Sequence, residues 1–237
     1  MFRLRIGYLI TGITTGLTLL LGFFWSLPDG KLHIVFCDVG QGDAAYIRFP
    51  DGRDMLVDGG PNDAVLGCLG RHMPFWDRHI NVVALSHPQK DHMQGLITVL
   101  DRYGTDYFVR SDIANTTEGY QKLMDVVKQR NITQKFVTTG EDISVGSTTL
   151  SVLWPSGNQI ANVLGASTSN LNDESVVFLL RYGSFDALFP GDADIRVESR
   201  WKNMQLADDT LEVLKFPHHG SKTGMTEAFL ETLQPKL

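Results

Sequence analysis

The sequence predicts a layered α/β domain that is preceded by one apolar, membrane-type helix. Three observations predict it. Residues 6–25 carry no charged side chain, strand hairpins recur in both halves of the remaining chain, and segments with helical spacing of apolar residues lie between them. Strands and helices that follow one another in this way pack as layers around a common core. With 237 residues, 43% of them hydrophobic, the chain can form one such domain plus a short appendage.

The first segment is predicted to be an uncleaved membrane anchor over residues 6–25, since about 20 apolar residues cross a bilayer core. Arg3 and Arg5 precede it, and basic flanks stay inside, so residues 1–5 are expected in the cytoplasm and the rest outside. A cleaved signal peptide and a buried core helix are the alternatives. The run is long for a signal peptide, and no small-x-small cleavage site follows it. Residues 26–31 are predicted to be a linker.

The domain itself is predicted to occupy residues 32–237. Strands are predicted over residues 32–37, 44–49, 54–57, 82–85, 136–137, 143–146, 149–153, 176–182, 187–189 and 211–216. Helices are predicted over residues 95–103 and 118–130 and from about residue 226 to 233. The pattern establishes a mixed α/β fold but does not establish the order of its layers.

Charge and cysteine content restrict the function classes. The net charge of -6 produces a field that repels nucleic acid, so composition gives no argument for DNA binding. The two cysteines, Cys37 and Cys68, are too few for a disulfide scaffold. Because Cys37 lies in an apolar strand pattern, a buried free thiol is expected there. An extracytoplasmic location would nevertheless permit a disulfide bond.

Metal-type ligands follow the ends of four predicted strands. These ligands are Asp58 after the third strand, His87, Asp91 and His92 after the fourth, Asp192 after residues 187–189, and His218 after residues 211–216. Taken alone, residues 87–92 have an alternative reading as a polar loop with incidental histidines. Several strands that each end in such a residue are hard to explain as chance features of surface loops. Carboxylates mixed with imidazoles suit zinc, manganese or iron.

The order of these residues resembles the metallo-β-lactamase superfamily, and four short motifs are similar to its ComEC-type DNA-uptake subgroup. The motifs are VGQGD at residues 39–43, DGG at 58–60, SHP at 86–88 and PHHGSK at 217–222. The resemblance runs from about residue 32 to the C-terminus. It implies an αββα sandwich with one or two divalent transition-metal ions, zinc or manganese, at the edge of the sheets.

The resemblance also implies a role for each metal-type residue. Asp91, His92 and His218 match the ligands of one metal, Asp192 matches the carboxylate that bridges two metals, and His87 matches a ligand of the other. His219 is expected to be a neighbour and not a ligand, since adjacent side chains on extended backbone diverge.

Further residues match positions around the metals. Asp58 matches an acidic residue that orients ligands through hydrogen bonds. Asp43 and Gln41 match a loop beside the site, and we take Asp192, Asp58 and Asp43 as candidate catalytic residues. Ser221 and Lys222 could bind a substrate phosphate. Alternatively, they belong to an ordinary loop before a helix.

The sequence departs from the superfamily pattern at several positions. Gln89 stands where histidine or aspartate is usual, Lys90 adds a positive charge, and Asn172 stands where another histidine is usual, as in ComEC-like relatives. One metal position is therefore expected to be poor in ligands. The chain also ends at Leu237, before the final strand and loop of the pattern, so its C-terminal end is expected to be truncated.

The leading hypothesis is a metal-dependent hydrolase of phosphodiesters, with single-stranded DNA as the substrate that the resemblance implies. A lactam or thioester hydrolase is the enzymatic alternative, although such sites usually contain more histidines. A metal-poor binding or assembly module is the non-catalytic alternative. The sequence identifies no protein partner.

Overall fold

The structure, a computed structural model, describes residues 6–25, 27–156, 171–206 and 210–237. Its helices are α1 (Ile6–Trp25), α2 (Ala64–His72), α3 (Lys90–Arg102), α4 (Glu118–Gln129), α5 (Glu198–Trp201) and α6 (Glu227–Leu233). Its first sheet contains β1 (His33–Phe36), β2 (Ala45–Arg48), β3 (Asp54–Val57), β4 (His79–Leu85), β5 (Gly104–Arg110) and β6 (Thr133–Phe136). Its second sheet contains β7 (Asp142–Val145), β8 (Thr148–Trp154), β9 (Val177–Tyr182), β10 (Phe185–Phe189) and β11 (Val213–Leu214).

Both sheets have a simple strand order. The first runs β1-β2-β3-β4-β5-β6, antiparallel up to β3 and parallel from β3 onward. The second runs β11-β10-β9-β8-β7 and is antiparallel except for the β10–β11 pair. Because the parallel strands β3 and β4 end at the same edge, the polar residues that follow them meet there.

The layers form an αββα sandwich, as the resemblance implied. Side chains alternate across each strand. Ile47 of β2, for example, packs against the second sheet, while its neighbour Tyr46 packs among α2, α3 and α4. On the far side, Leu188 of β10 packs with Trp201 and Phe229 of α5 and α6. Apolar burial on both faces of each sheet therefore stabilises four layers.

Among the predicted elements whose bounds differ in the structure, two lie beside the site. The helix predicted from residue 95 begins at Lys90, so Asp91 and His92 lie in its first turn, where the helix dipole favours Asp91. The buried strand predicted over 211–216 is wrong in extent. Only Val213–Leu214 pair with β10, while Leu211 and Phe216 at the two ends pack in the cluster beneath α5 and α6.

Cys37 and Cys68 form a disulfide bond, so the expected free thiol at Cys37 is wrong. Cys37 follows the end of β1, and the buried Cys68 lies on the inner face of α2, 5.7 Å away between Cα atoms. This separation is within the normal disulfide range. The bond ties the loop that leaves β1 to the helical layer.

The α1 helix lies apart from these layers. Its residues 6–24 are long and apolar enough to cross a membrane and are exposed, which is consistent with membrane association. Residues 1–5, with the basic residues expected in the cytoplasm, lie outside the described residues, as does Ser26 of the predicted linker.

Candidate metal centre

Four side chains from four parts of the chain meet at the edge where β3, β4 and β10 end. One ligand atom from each of Asp43, His92, Asp192 and His219 lies within 4.8 Å of all the others. Two carboxylates and two imidazoles at such distances could hold a divalent cation. We call this set the four-residue group.

Asp192 is at the centre of the histidines. Its Oδ1 lies 3.2 Å from His92 Nε2, and its Oδ2 lies 3.5 Å from His219 Nε2. On the other side, Oδ2 lies 3.9 Å from His87 Nε2 and 4.0 Å from His218 Nε2. Ligands held about 2.1 Å from a tetrahedral metal lie roughly 3.4 Å from one another, so these separations suit ligands that share an ion.

Buried polar atoms at this edge lack hydrogen-bond partners. They are His87 Nε2, His92 Nε2, Asp192 Oδ1 and His218 Nδ1. An unsatisfied buried polar group costs about 1–3 kcal/mol. His92 Nε2 and Asp192 Oδ1 face each other without hydrogen-bond geometry, which is the arrangement expected of two atoms that bind one cation. The donor set therefore fits a transition metal.

Asp58 fixes the orientation of His92. Its Oδ2 accepts hydrogen bonds from Ser86 Oγ at 2.7 Å and from His92 Nδ1 at 2.8 Å, and its Oδ1 accepts one from the Ser86 amide at 2.8 Å. With Nδ1 donating to Asp58, Nε2 of His92 faces Asp192, and this nitrogen can bind a cation once it has lost its proton. Asp58 has a φ of 59°, an unusual conformation for aspartate that the surrounding hydrogen bonds hold.

The loop before β2 brings Asp43 into the group. A Cβ on Gly42 would lie 2.3 Å from the Asp91 carbonyl oxygen, so only glycine permits this close approach. Asp43 pairs with Lys215, and its Oδ1 lies 3.2 Å from His219 Nδ1. Lys215 was not predicted from the sequence; its signal was its place at the end of an apolar segment, two residues before the PHHGSK motif.

His219 enters the site, contrary to the expectation from sequence. That expectation assumed an extended backbone, but His218 and His219 have φ values of 50° and 53° in a tight turn. The turn directs His219 Nε2 to 3.3 Å from Asp91 Oδ2. His218 lies instead 3.4 Å from the Asn172 amide. The ligand role of His218 stays a prediction.

The three candidate substrate-binding residues lie at the outside of the site. Gln41 and Lys222 are exposed, and Ser221 ends the turn that carries His218 and His219. Their roles remain predictions.

Comparison with known proteins finds ComEC-type relatives, although no protein-family model matches the chain. It is 22% identical over 245 residues to ComE operon protein 3 of Bacillus subtilis, covering 96% of this chain and 30% of the relative. It is 30% identical over 223 residues to Recombination protein 2 of Haemophilus influenzae, covering 90% of this chain and 24% of the relative. The chain is a ComEC-type relative. The chain spans less than a third of the length of each of these curated relatives.

Solved structures show the fold of this ComEC-type chain. A metallo-β-lactamase of Cronobacter sakazakii with a HARLDQ motif matches with a TM-score of 0.50 and 13% identity, covering 81% of this chain and 80% of the other. A variant of the CmlA β-hydroxylase matches with a TM-score of 0.51 and 16% identity, covering 86% of this chain and 44% of the other. The metallo-β-lactamase fold is thus confirmed.

The two sides of Asp192 in this ComEC-type site differ in chemistry. The first, which we call the acidic position, contains Asp43, Asp91, His92 and His219. The second, which we call the amide position, contains His87, Gln89, Asn172 and His218.

Amides occupy the amide position in place of imidazoles. The Gln89 amide donates a hydrogen bond to Asn172 Oδ1, and Asn172 Nδ2 lies 3.4 Å from His218 Nε2. Each amide group thus has a hydrogen-bond partner within the amide position. Lys90, the other departure from the superfamily pattern, is exposed and directs its charge toward solvent.

The carboxylates strongly favour positive charge at the acidic position. Burial lowers the pKa of His92, but Asp58 and Asp192 outweigh it and raise this pKa to about 10. Hydrogen bonds with Asp43 and Asp91 raise the pKa of His219 to about 9. Burial, by contrast, holds the pKa of His87 well below its usual value. A cation that binds at the acidic position must therefore displace protons.

Proposed function

We propose that the chain is a membrane-anchored, metal-dependent hydrolase of phosphodiester bonds. The observation that carries this proposal is the four-residue group, Asp43, His92, Asp192 and His219, together with the unpartnered buried atoms that face it. Buried imidazoles and carboxylates without partners are costly unless a cation binds them. The relationship to ComEC-type proteins and the metallo-β-lactamase fold support the same function class.

The chain's own residues would hold and orient the reacting groups. A bound divalent cation supplies Lewis acidity, which acidifies water and withdraws charge from a phosphoryl group. Asp58 keeps His92 in the tautomer that a ligand needs, and Lys215 holds Asp43 at the site. Asp192 lies between both positions, where its carboxylate would help to hold the attacking water.

We propose zinc or manganese as the metal, with one ion held tightly. Carboxylates and imidazoles surround the acidic position, whereas the amide position offers His87 and His218 beside two amides. Amide oxygens bind transition metals more weakly than carboxylates or imidazoles do. A second ion at the amide position would therefore bind weakly.

Single-stranded DNA or another phosphodiester is the proposed substrate class. The name Recombination protein 2, borne by one relative, is consistent with a nucleic acid. The overall charge of -6 gives no general attraction to DNA, so contacts would come from residues near the site. Lys222 and Ser221 on the PHHGSK segment are candidates for a phosphate contact.

The proposed arrangement leaves residues 1–5 in the cytoplasm, residues 6–25 in the membrane and residues 32–237 outside, joined by the linker 26–31. The exposed apolar α1 helix supports the anchor. The Cys37–Cys68 disulfide supports the outside location, because disulfides persist in oxidising compartments. Protease added to intact cells should digest the domain. Digestion only after lysis would reverse the topology.

A metal-poor binding module is the second candidate, and the amide pair of Gln89 and Asn172 favours it. In that case neither position would retain a metal ion, even with metal supplied. The two candidates therefore differ in metal content before any substrate is tested.

Turnover of a generic phosphodiester, bis(4-nitrophenyl) phosphate, tests the hydrolase function. The full chain in detergent should hydrolyse it when manganese or zinc is added. Asp192→Asn should abolish the activity, while Asp125→Asn, an exposed aspartate on α4, should retain it. A wild-type chain that binds metal but leaves every phosphodiester intact would contradict the proposed reaction.

A further inference from the structure

We infer that the domain makes a second contact with the membrane, through the loop of residues 74–78 that connects α2 to β4. We call it the aromatic loop. Its proposed occupant is the anionic lipid bilayer in which α1 is embedded, so the inference rests on the membrane anchor proposed above. Such a contact would set the orientation of the metal centre relative to the membrane.

Two large aromatic side chains are exposed on the aromatic loop. Phe75 is 56% exposed and Trp76 is 40% exposed, and their rings lie 4.8 Å apart in an edge-to-face arrangement. Most other large apolar side chains that are exposed in the described chain belong to α1. Exposed aromatic pairs on a loop are typical of interaction sites and not of a solvated surface.

The aromatic loop lies against the C-terminal end of α1. The Trp76 ring is 4.8 Å from the Phe23 ring, and a Cβ on Gly22 would lie 3.7 Å from Phe75. Phe24, one residue further, is 60% exposed. These side chains form an apolar surface continuous with the candidate membrane span. Aromatic side chains are enriched where a membrane helix leaves the bilayer.

A cavity of about 340 Å³ beside the aromatic loop offers basic side chains to a lipid phosphate. Arg71 and His72 line it, next to Pro74 of the loop, together with Arg48, which lies 4.0 Å from the buried Asp54. The acidic residue in the lining, Asp29, accepts a hydrogen bond from His33 at 2.9 Å. Arginines close to a membrane surface are attracted to anionic headgroups.

The aromatic loop also carries one acidic residue, Asp77. Its Oδ1 accepts a hydrogen bond from the His79 backbone amide at 2.9 Å, which holds the carboxylate at the β4 end of the loop. Arg78 lies over the Tyr103 ring, 5.8 Å from its centroid. The loop therefore presents its aromatic side chains together with basic neighbours.

The position of the aromatic loop determines which way the metal centre faces. The loop precedes His79, the first residue of β4, and the metal motif follows Leu85, the last. A strand of seven residues is about 20 Å long at ~3.3 Å per residue. A domain that rests on the aromatic loop therefore holds its metal edge away from the bilayer, open to substrates from the surrounding medium.

Quenching of Trp76 fluorescence by brominated lipid acyl chains tests the docking directly. The full chain is reconstituted in phosphatidylcholine and phosphatidylglycerol vesicles and carries Trp25→Phe, which removes the other tryptophan near this end of α1. Bromolipid should strongly quench the tryptophan fluorescence of this Trp25→Phe chain. A further Trp76→Phe substitution should lose most of that quenching, whereas a further Trp201→Phe, at a residue only 3% exposed, should not.

The outcomes separate the docking from the anchor. A chain that floats with the vesicles while Trp76 is not quenched overturns the docking and leaves the anchor standing. A chain that does not float overturns both. In a third outcome, bromolipid does not quench Trp76, and Trp76 is shielded from aqueous iodide equally in detergent and in vesicles. A protein surface would then cover the loop, and this result would overturn the assignment of lipid as its partner.

The basic cavity has a test of its own. Arg71→Glu should reduce Trp76 quenching in vesicles that contain phosphatidylglycerol and leave it unchanged in pure phosphatidylcholine. Phosphodiester turnover in detergent should stay at the wild-type level, because Arg71 lies at the end of α2 near the aromatic loop and outside the metal centre. Equal quenching of Arg71→Glu and the parent chain in both vesicle types would overturn the role of the lipid phosphate.

Discussion

The two sides of Asp192 lie within a few ångströms of each other but have opposite electrostatics. At the acidic position, carboxylates raise the pKa values of His92 and His219 to about 10 and about 9. At the amide position, burial lowers the pKa of His87, and amides face the site in place of charged ligands. The comparison teaches that neighbouring histidines can differ strongly in pKa because of the charges that surround them.

The largest expected difference is between His92→Ala and His87→Ala. His92→Ala removes an imidazole from the four-residue group and leaves Asp58 and Asp192 buried without their partner, so most bound metal and all activity should be lost. His87→Ala should remove less metal, because its position is already poor in ligands. Metal analysis after dialysis measures both. Equal losses would mean that the two positions do not differ as described.

The adjacent histidines of the turn provide the next comparison. His219→Ala should lower metal content more than His218→Ala, because His219 Nε2 lies 3.3 Å from Asp91 Oδ2 while His218 lies beside Asn172. The sequence resemblance assigns the ligand role to His218 instead. Isothermal titration of both variants with manganese decides between these assignments. A greater loss in His218→Ala would restore the assignment from sequence.

Metal affinity should rise steeply with pH. Hydrogen bonds and neighbouring carboxylates favour the protonated forms of His92 and His219, so protons compete with the cation below pKa values of about 10 and about 9. Affinity should increase about tenfold per pH unit for each proton displaced. Competition with a chelator between neutral pH and pH 9 measures the slope. An affinity that does not change over this range would show that these imidazoles are not the ligands.

The smallest expected effect concerns Gln89→Asp. A carboxylate in place of the amide should improve the amide position, raise the metal content toward two ions and increase phosphodiester turnover by a modest factor. Lys90→Gln is the matched control, since this exposed neighbour should leave both values unchanged. A second ion bound equally well without the substitution would remove the distinction between the two positions.

Much of this architecture could be predicted from the sequence because it depends on local signals. The β3 strand has the predicted bounds, and α4 and α6 differ from prediction by one residue at one end. Helix α2 was missed, since Gly67 and Gly70 weaken its helical signal. Strand β5 was also missed, because its first residues are polar and exposed and do not show an apolar strand pattern.

The site depends on long-range geometry that sequence patterns do not contain. Asp58, Asp91, His92 and Asp192 could be selected because each follows a strand end. The entry of His219 depends on the positive φ angles of its turn, and the ion pair of Lys215 with Asp43 joins residues far apart in the chain. The Cys37–Cys68 disulfide could not be predicted either, because the missed helix α2 carries one of its cysteines.

Metal content of the dialysed wild-type chain tests the central claim most directly. The difference between the acidic and amide positions predicts about one tightly bound zinc or manganese ion per chain. Inductively coupled plasma mass spectrometry against protein concentration gives this ratio without any substrate. Two retained ions would contradict the weakness of the amide position, and no retained ion, even after metal is supplied, would contradict the metal centre itself.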